Sequence, residues 1–435
     1  MSIYDKASLI QIPSGYKAGN LYSPIPNSVA GDFTHTRNGT ATRVNSQGLI
    51  ETVDANVPRL DYPFIDGVVQ DCPHLLLEPQ RTNDTTYSKD FTQTSYWNSV
   101  IDVVVTKDEA LAPNGTYTAN KIQANSGTNF KILRKGAFTI PSGITMSIFV
   151  KRGNHDYIMF KAQGDYNFNL NTLTWGGSYS NVGYELYPND WIRLYATTTS
   201  SVLSYFGIYL TDSSFNQYWN ATGNEFVYVW GAQYEIGSYP TSYISTNGSS
   251  VTRLVDQCEI ASGLEDVIGQ TEGTFFIDFE YLYETTSSSS TDSFRDVFRI
   301  GTTSDLSEGI TFDNYRSGFR AYVLMSTGNL FLGNTTIGSS QPNTRYKLAI
   351  KYKTGDCKAY LNGNLLGSST GTVNFASVLN GIFFSYADVN RILKNQKKVY
   401  ELMMFKEALS DSELETITSY SSFNSMATAL GYKII

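Results

Sequence analysis

The run Gly273–Glu284, GTFFIDFEYLYE, limits what this chain can fold into more than any other stretch. Phe275, Ile277, Phe279, Tyr281 and Tyr283 alternate with Asp278, Glu280, Leu282 and Glu284. A period of two puts the first set on one face of a strand and the second set on the other. The same period recurs at Met146–Lys151, where Met146, Ile148 and Val150 share a face. It returns at Tyr157–Lys161, Trp191–Ala196, Phe206–Leu210, Tyr346–Tyr352 and Tyr400–Phe405. Gly, Asn, Asp and Ser separate these runs. The chain carries 31 Tyr and 24 Phe, with 14% aromatic and only 17% charged residues. Pleated strands hold aromatic and β-branched side chains well, so an all-β protein is expected. At 435 residues it should divide into two or three domains.

The net charge of −8 gives no general attraction to nucleic acid or to an anionic membrane. No apolar run approaches the roughly 18 residues of a spanning helix, so no membrane insertion is expected. Cys72, Cys258 and Cys357 are odd in number and far apart, without a CxxC or Cys/His cluster. That excludes a disulfide framework and a zinc site, and all three are expected as free thiols. The start, MSIYDKASLIQIPSGYK, lacks a basic segment followed by an apolar core, so no secretory signal is expected.

Four regions follow. Residues 1–84 are broken by Pro13, Pro24, Pro26, Pro58, Pro63, Pro73 and Pro79 into short extended pieces. They read as an irregular leader that needs a neighbouring domain, a sister subunit or another protein to pack on. Residues 85–253 carry closely spaced short strands, as in a two-sheet jelly roll. Residues 254–272, with Asp256, Glu259, Glu265 and Asp266, read as a connector. Residues 273–435 form a second sandwich, in which Asn362-Gly363 signals a type I′ hairpin. Ser410 and Glu413, at capping-box spacing, start a short helix within Ala408–Ile417.

Three stretches, Thr36–Arg59 (TRNGTATRVNSQGLIETVDANVPR), Leu75–Asn83 (LLLEPQRTN) and Val229–Arg253, resemble a leader and closing segment of tailed-bacteriophage virion proteins. YSKDFTQTSYWNSV, Ile148–Gly153, Asp190–Leu194 and Val227–Gln233 resemble carbohydrate-binding-module-like domains of phage fibres. The order of strand, LNG hairpin, strand and ALSDSEL helix over roughly residues 270–420 resembles the laminin-G-like branch of the concanavalin-A-like lectin/glucanase superfamily. These resemblances imply a jelly roll followed by a laminin-G-like sandwich, in a tail or head fibre or appendage of the virion. Such a protein would bind a host cell-surface polysaccharide or glycan without chemistry, contact other virion proteins and form a homo-oligomer, a trimer by analogy. It would be made in the host cytoplasm and released by lysis. A capsule depolymerase and a purely structural decoration or connector protein are the other classes in view.

Because that superfamily includes glucanases, carboxylates must be sought directly. Asp278, Glu280 and Glu284 share a strand face, but their D-x-E-x-x-x-E spacing is not the ExDxxE set that places two carboxyls about 5 Å apart. They read as a solvated sheet face, no catalytic residue is assigned, and the chain is not expected to be an enzyme. His35, His74 and His155 are isolated and read as surface or structural. No cofactor is expected; the laminin-G resemblance leaves calcium open, with Asp296, Asp305, Asp313 and Asp388 as loop candidates that lack DxDxDG spacing. Sugar binding needs aromatic faces flanked by polar groups. Trp175 and Trp219, in Gly/Asn-rich surroundings, read as exposed loop residues, and Tyr315, Arg316, Arg320 and Tyr322 as a second set. Trp97, Trp191 and Trp230 read as core. Arg391, Lys394, Lys397 and Lys398 read as a solvated basic loop.

Overall fold

The alternating segments form antiparallel strands stacked as two sandwiches in a computed structural model whose described residues are 3–17, 20–26, 31–283, 295–302, 308–315, 318–336, 344–384 and 395–420. The all-β expectation holds: among the described residues the one α-helix is Asp411–Thr418. No helix among them is long and apolar enough to cross a membrane.

The first sandwich faces a six-stranded sheet against a seven-stranded one. The six-stranded sheet runs Val103–Leu111, Tyr117–Ala124, Phe226–Ile236, Ile144–Arg152, Trp191–Thr197, Val182–Tyr187. The other runs Ser99–Ile101, Gly127–Ile140, Val202–Leu210, Tyr157–Lys161, Asp165–Asn169, Thr174–Trp175, with Tyr218–Ala221 on the end of Gly127–Ile140. Between them lie Trp97, Met146, Ile148, Val150, Phe160, Phe168, Leu194, Phe206 and Ile208. Ile144–Arg152 is buried along nearly its whole length rather than alternately. The reason is a second packing layer on its outer side, where Phe149, Trp191, Trp230 and Tyr243 close over Ile50 of the leader.

The second sandwich is built around Glu272–Tyr283, which pairs with Arg345–Lys353 on one side and Asn395–Phe405 on the other. Phe275, Ile277, Phe279 and Tyr281 point inward to Phe298, Phe312 and Phe319 of the facing sheet. Asn362 (φ 51°) and Gly363 (φ 78°) turn the hairpin between Cys357–Leu361 and Asn364–Ser369, as the Asn-Gly pair requires. Ser410 Oγ accepts from the Glu413 amide, and Glu413 Oε2 accepts from the Ser410 amide at 2.9 Å, completing the capping box. The three cysteines are unpaired.

The leader behaves differently from a decorated loop. Leu9–Gln11 pairs with the C-terminal half of Asn395–Phe405, and His74–Leu77 with its N-terminal half. Arg59–Asp61 extends that sheet, and Thr34–Thr36 pairs with Gln257–Ile260 in the facing one. Leu9, Leu21, Phe33, Leu60, Leu75 and Leu77 join the core of the second sandwich. Pieces this short cannot form a sheet alone, yet each satisfies a stretch of strand edge that would otherwise stay open. The leader therefore finds partner surface within its own chain. The segment read as a connector likewise contributes a strand, Gln257–Ile260.

A buried ionic network fastens leader and sandwiches together. Arg59 bonds Glu78 (2.7 Å) and Asp256, Arg37 bonds Asp256 (2.9 Å), and Arg253 bonds Glu78 (2.8 Å). All five side chains are fully buried or nearly so. Glu78 also accepts from the Ser242 amide (2.8 Å) and hydroxyl (2.6 Å). Burial works to raise the Glu78 carboxyl, but the Arg253 and Arg59 guanidiniums and Ser242 outweigh it and hold it down to about 2. Against the same desolvation, Arg59, His35 and Arg37 hold Asp256 well below the carboxylate range. Every one of these residues except Asp256 lies in, or just beyond, the leader-like and closing stretches.

Candidate functional site

The seven-stranded sheet of the first sandwich has one face in the core and an outer face that is buried in its middle, at Ile132, Met159 and Tyr209, and exposed at its end, at Phe130 and Tyr218. Leu133, Ile208, Phe160 and Phe168 point inward. Their strand neighbours Ile132, Tyr209 and Met159 lie on the outer side with Ile101, as a separate small cluster. Register fixes two adjoining rows there. Ile101, Ile132, Tyr209, Met159 and Asn167 form one; Ser99, Arg134, Gly207, Lys161 and Asp165 form the other. At the end of the sheet Phe130 sits opposite Tyr218, rings 5.3 Å apart and edge-on, and both are exposed. Phe130 and Arg134 are separated by roughly 13 Å along their strand.

Arg134 organises this face. Its guanidinium carbon lies 3.6 Å from the Tyr205 ring centroid, its Nε donates to Ser99 Oγ at 3.1 Å, and its Nη1 donates to Tyr209 Oη. Across Gly207, Lys161 bonds Asp165 and approaches the Tyr205 ring at 5.7 Å. Gln217 Nε2 reaches Asp165 at 3.5 Å, and Asn167 Oδ1 is buried with no hydrogen-bond partner among the described residues. Burial, first of all, raises the Tyr209 phenol above its usual value, which keeps it a neutral donor and acceptor. Exposed aromatic rings at the sheet end and a guanidinium fixed among phenols and hydroxyls thus share the outer side of this sheet.

Trp175 and Trp219 belong to the inner side of the same sheet. Trp175 is half-buried and pairs with Phe168, its ring 4.7 Å from that core ring and 6.0 Å from Tyr179. Trp219 is half-buried too; its Nε1 donates to Leu210 O at 3.0 Å and its ring stacks on His155 at 5.3 Å. Each packs at the core rim rather than standing free on a loop. The exposed aromatic is Trp219's neighbour, Tyr218, because a strand sends consecutive side chains to opposite faces. The sequence carried that signal in Phe130-x-Ile132-x-Arg134 and Tyr205-x-Gly207-x-Tyr209, whose partners on the other parity are core residues.

On the second sandwich, Arg320 and Tyr322 lie together as expected, 5.3 Å from guanidinium carbon to ring, with Phe331 5.1 Å beyond. Arg320 is already matched: its Nε and Nη2 each bond Asp313 at 2.8 Å. Asp313 is therefore a strand residue in an ion pair, not a loop ligand. Tyr315 ends the strand Gly309–Tyr315, Asp296 lies in Arg295–Gly301, and Arg316, Asp305 and Asp388 fall outside the described residues. Among the described residues no group of three or more His, Cys, Asp or Glu could hold a metal ion.

The carboxylates read as a solvated face are instead neutralised. Arg345 grips Asp278 through Nε (2.6 Å) and Nη2 (2.7 Å), and Asp278 is 1% exposed. Glu280 bonds Lys398 at 2.9 Å and accepts from Tyr400; Glu284 lies outside the described residues. Of the basic run, Lys397 and Lys398 are strand residues in Asn395–Phe405, Lys397 donating to Phe384 O, while Arg391 and Lys394 fall outside the described residues. His35, His74 and His155 are buried, so all three are structural. Burial pushes the His74 and His155 imidazoles down, against their hydrogen bonds, and keeps them neutral near pH 7.

No family model matches the chain. No curated protein is similar to it either. Among solved structures, part of it is similar to the binding domain of botulinum neurotoxin DC in complex with SialylT: 10% identity, 38% of this chain and 39% of that one, TM-score 0.30. Others are the leech intramolecular trans-sialidase complexed with 2,7-anhydro-Neu5Ac (16% identity, 36% and 24%, TM-score 0.28) and Ruminococcus gnavus IT-sialidase CBM40 bound to alpha2,3 sialyllactose (14%, 35% and 84%, TM-score 0.28). The match spans well under two thirds of the length of the first three structures found. At such TM-scores these likenesses assign no function.

Proposed function

We propose that this protein is a glycan-binding appendage of a bacteriophage virion, acting without chemistry and assembling with other virion proteins as a homo-oligomer. The observation that carries glycan binding is the outer sheet face on which exposed Phe130 and Tyr218 share the side that half-buried Arg134 and Tyr205 occupy. A sugar ring needs an apolar face to stack on and fixed polar groups beside it, and this surface supplies both. The facing sheet offers less, because Ile50 of the leader packs on its outer side with Phe149, Trp191 and Trp230. Support for the virion comes from the leader-like stretches Thr36–Arg59 and Leu75–Asn83. Support for binding without chemistry comes from Asp278 and Glu280, each held by a cation.

Adsorption to host cells, with immunogold labelling of virions, tests the reading. Tyr218→Ala and Phe130→Ala should each weaken adsorption about ten- to a hundredfold, by analogy with base–aromatic stacking. Unchanged adsorption in both would remove this face as the binding surface. A reducing-end assay on host polysaccharide should stay silent; activity lost in Glu280→Gln would establish a depolymerase instead.

A further inference from the structure

Resting on the glycan-binding reading, we propose that the sugar bound at this face is acidic, its anionic group held by Arg134. Arg43, Arg152, Arg193, Arg320 and Arg345 each lie beside a carboxylate. Arg134 has none among the described residues: its partners are the Tyr205 ring and the hydroxyls of Tyr209 and Ser99. A guanidinium held by neutral groups has no carboxylate against it and a fixed orientation, which suits recognition of an anion by charge-assisted hydrogen bonds.

Gly207 lets the strand that carries Arg134 come close. It pairs with Arg134 on one side and Lys161 on the other. A Cβ here would lie 2.2 Å from Leu133 O and 2.6 Å from Arg134 Cβ, so no other residue fits. The result is close backbone approach beside Arg134, with Lys161 across Gly207 and Tyr205 and Tyr209 before and after it on the same strand face. The row holds two cations against one carboxylate, Asp165, in a chain of net charge −8. Asp165, exposed and reached by Gln217, stands in the same row to meet sugar hydroxyls. The shared chemistry is an anionic glycan, whether its charge is a ring carboxylate or a linking phosphate.

The experiment is a glycan array probed with the full chain, carrying carboxylated, phosphate-linked and matched neutral glycans. The expected result is binding confined to acidic glycans, weakened by added salt and reduced tenfold or more in Arg134→Gln. Hits among carboxylated rather than phosphate-linked glycans, or the reverse, identify the anion, and either supports the proposal. Arg134→Lys should recover part of the binding. If Arg134→Gln does not fold, judged by its melting curve, the wild-type chain is compared on the acidic hit and its carboxyl-reduced or dephosphorylated form. Equal binding of neutral and acidic glycans, or acidic binding indifferent to Arg134, overturns this proposal and leaves glycan binding standing. Binding to no glycan on the array overturns both.

Discussion

Arg59 and Arg134 show how the same side chain serves two ends. Arg59 is fully buried and meets two carboxylates; Arg134 is half-buried on an outer sheet face and meets only neutral groups. Removing one partner of the buried set leaves a charge stranded in low dielectric. Asp256→Ala should therefore cost about 3–5 kcal/mol in urea unfolding; a loss within experimental error would show that the network does not hold the fold. Glu78 makes the network acid-sensitive. Its folded pKa, about 2, lies below its ordinary 4.5, so its contribution is complete above pH 4.5 and is lost as pH falls through about 2. At neutral pH that contribution is on the order of 3 kcal/mol. Wild-type stability minus that of Glu78→Gln should be constant down to about pH 5 and shrink towards pH 2. A pH-independent difference would refute this linkage.

Among elements, the hairpin at Asn362-Gly363 was legible because its chemistry is local: two consecutive positive φ angles demand that pair. Gly363 carries a second constraint, because a Cβ there would come within 2.6 Å of Ser419 Oγ behind the helix. Gly363→Ala should cost more than about 1 kcal/mol, read from the denaturation midpoint, and a neutral substitution would mean that helix end is free to move. Strand Glu272–Tyr283 was legible for the same local reason, but only on one of its faces. Its polar face was read as solvated, whereas Asp278 is buried beneath Arg345 and Glu280 pairs with Lys398. Alternation says which residues share a side, not what will cover that side.

At the scale of the molecule, both halves of Asn395–Phe405 are closed by leader strands from far away in sequence. Deleting residues 1–84 would open that edge, uncover Phe149 and Trp191, and remove Arg37, Arg59 and Glu78 from the network. The truncated chain should aggregate on size exclusion, as exposed strand edges do; a soluble product with the full-length melting temperature would show that the leader is dispensable. Because the network ties leader, first sandwich and Asp256 together, calorimetry of the intact chain should give a single transition. Two well-separated ones would mean the sandwiches unfold independently.

The chain's sequence alone determined the strands, the Asn-Gly turn, the Ser410 cap and the division into two sandwiches, since each rests on residues within a few positions of one another. It did not determine that Leu9–Gln11 would lie beside Met404, or that the charges of the leader-like stretches would be buried. Nor did it determine which outer sheet face the leader would pack on. Those outcomes depend on contacts across hundreds of residues, whose loop-closure cost and burial are shared by the whole fold and leave no local period to read. Trp175 and Trp219 drew attention by their type, yet tertiary packing turned them toward the core and left Arg134, Tyr205 and Tyr218 facing outward.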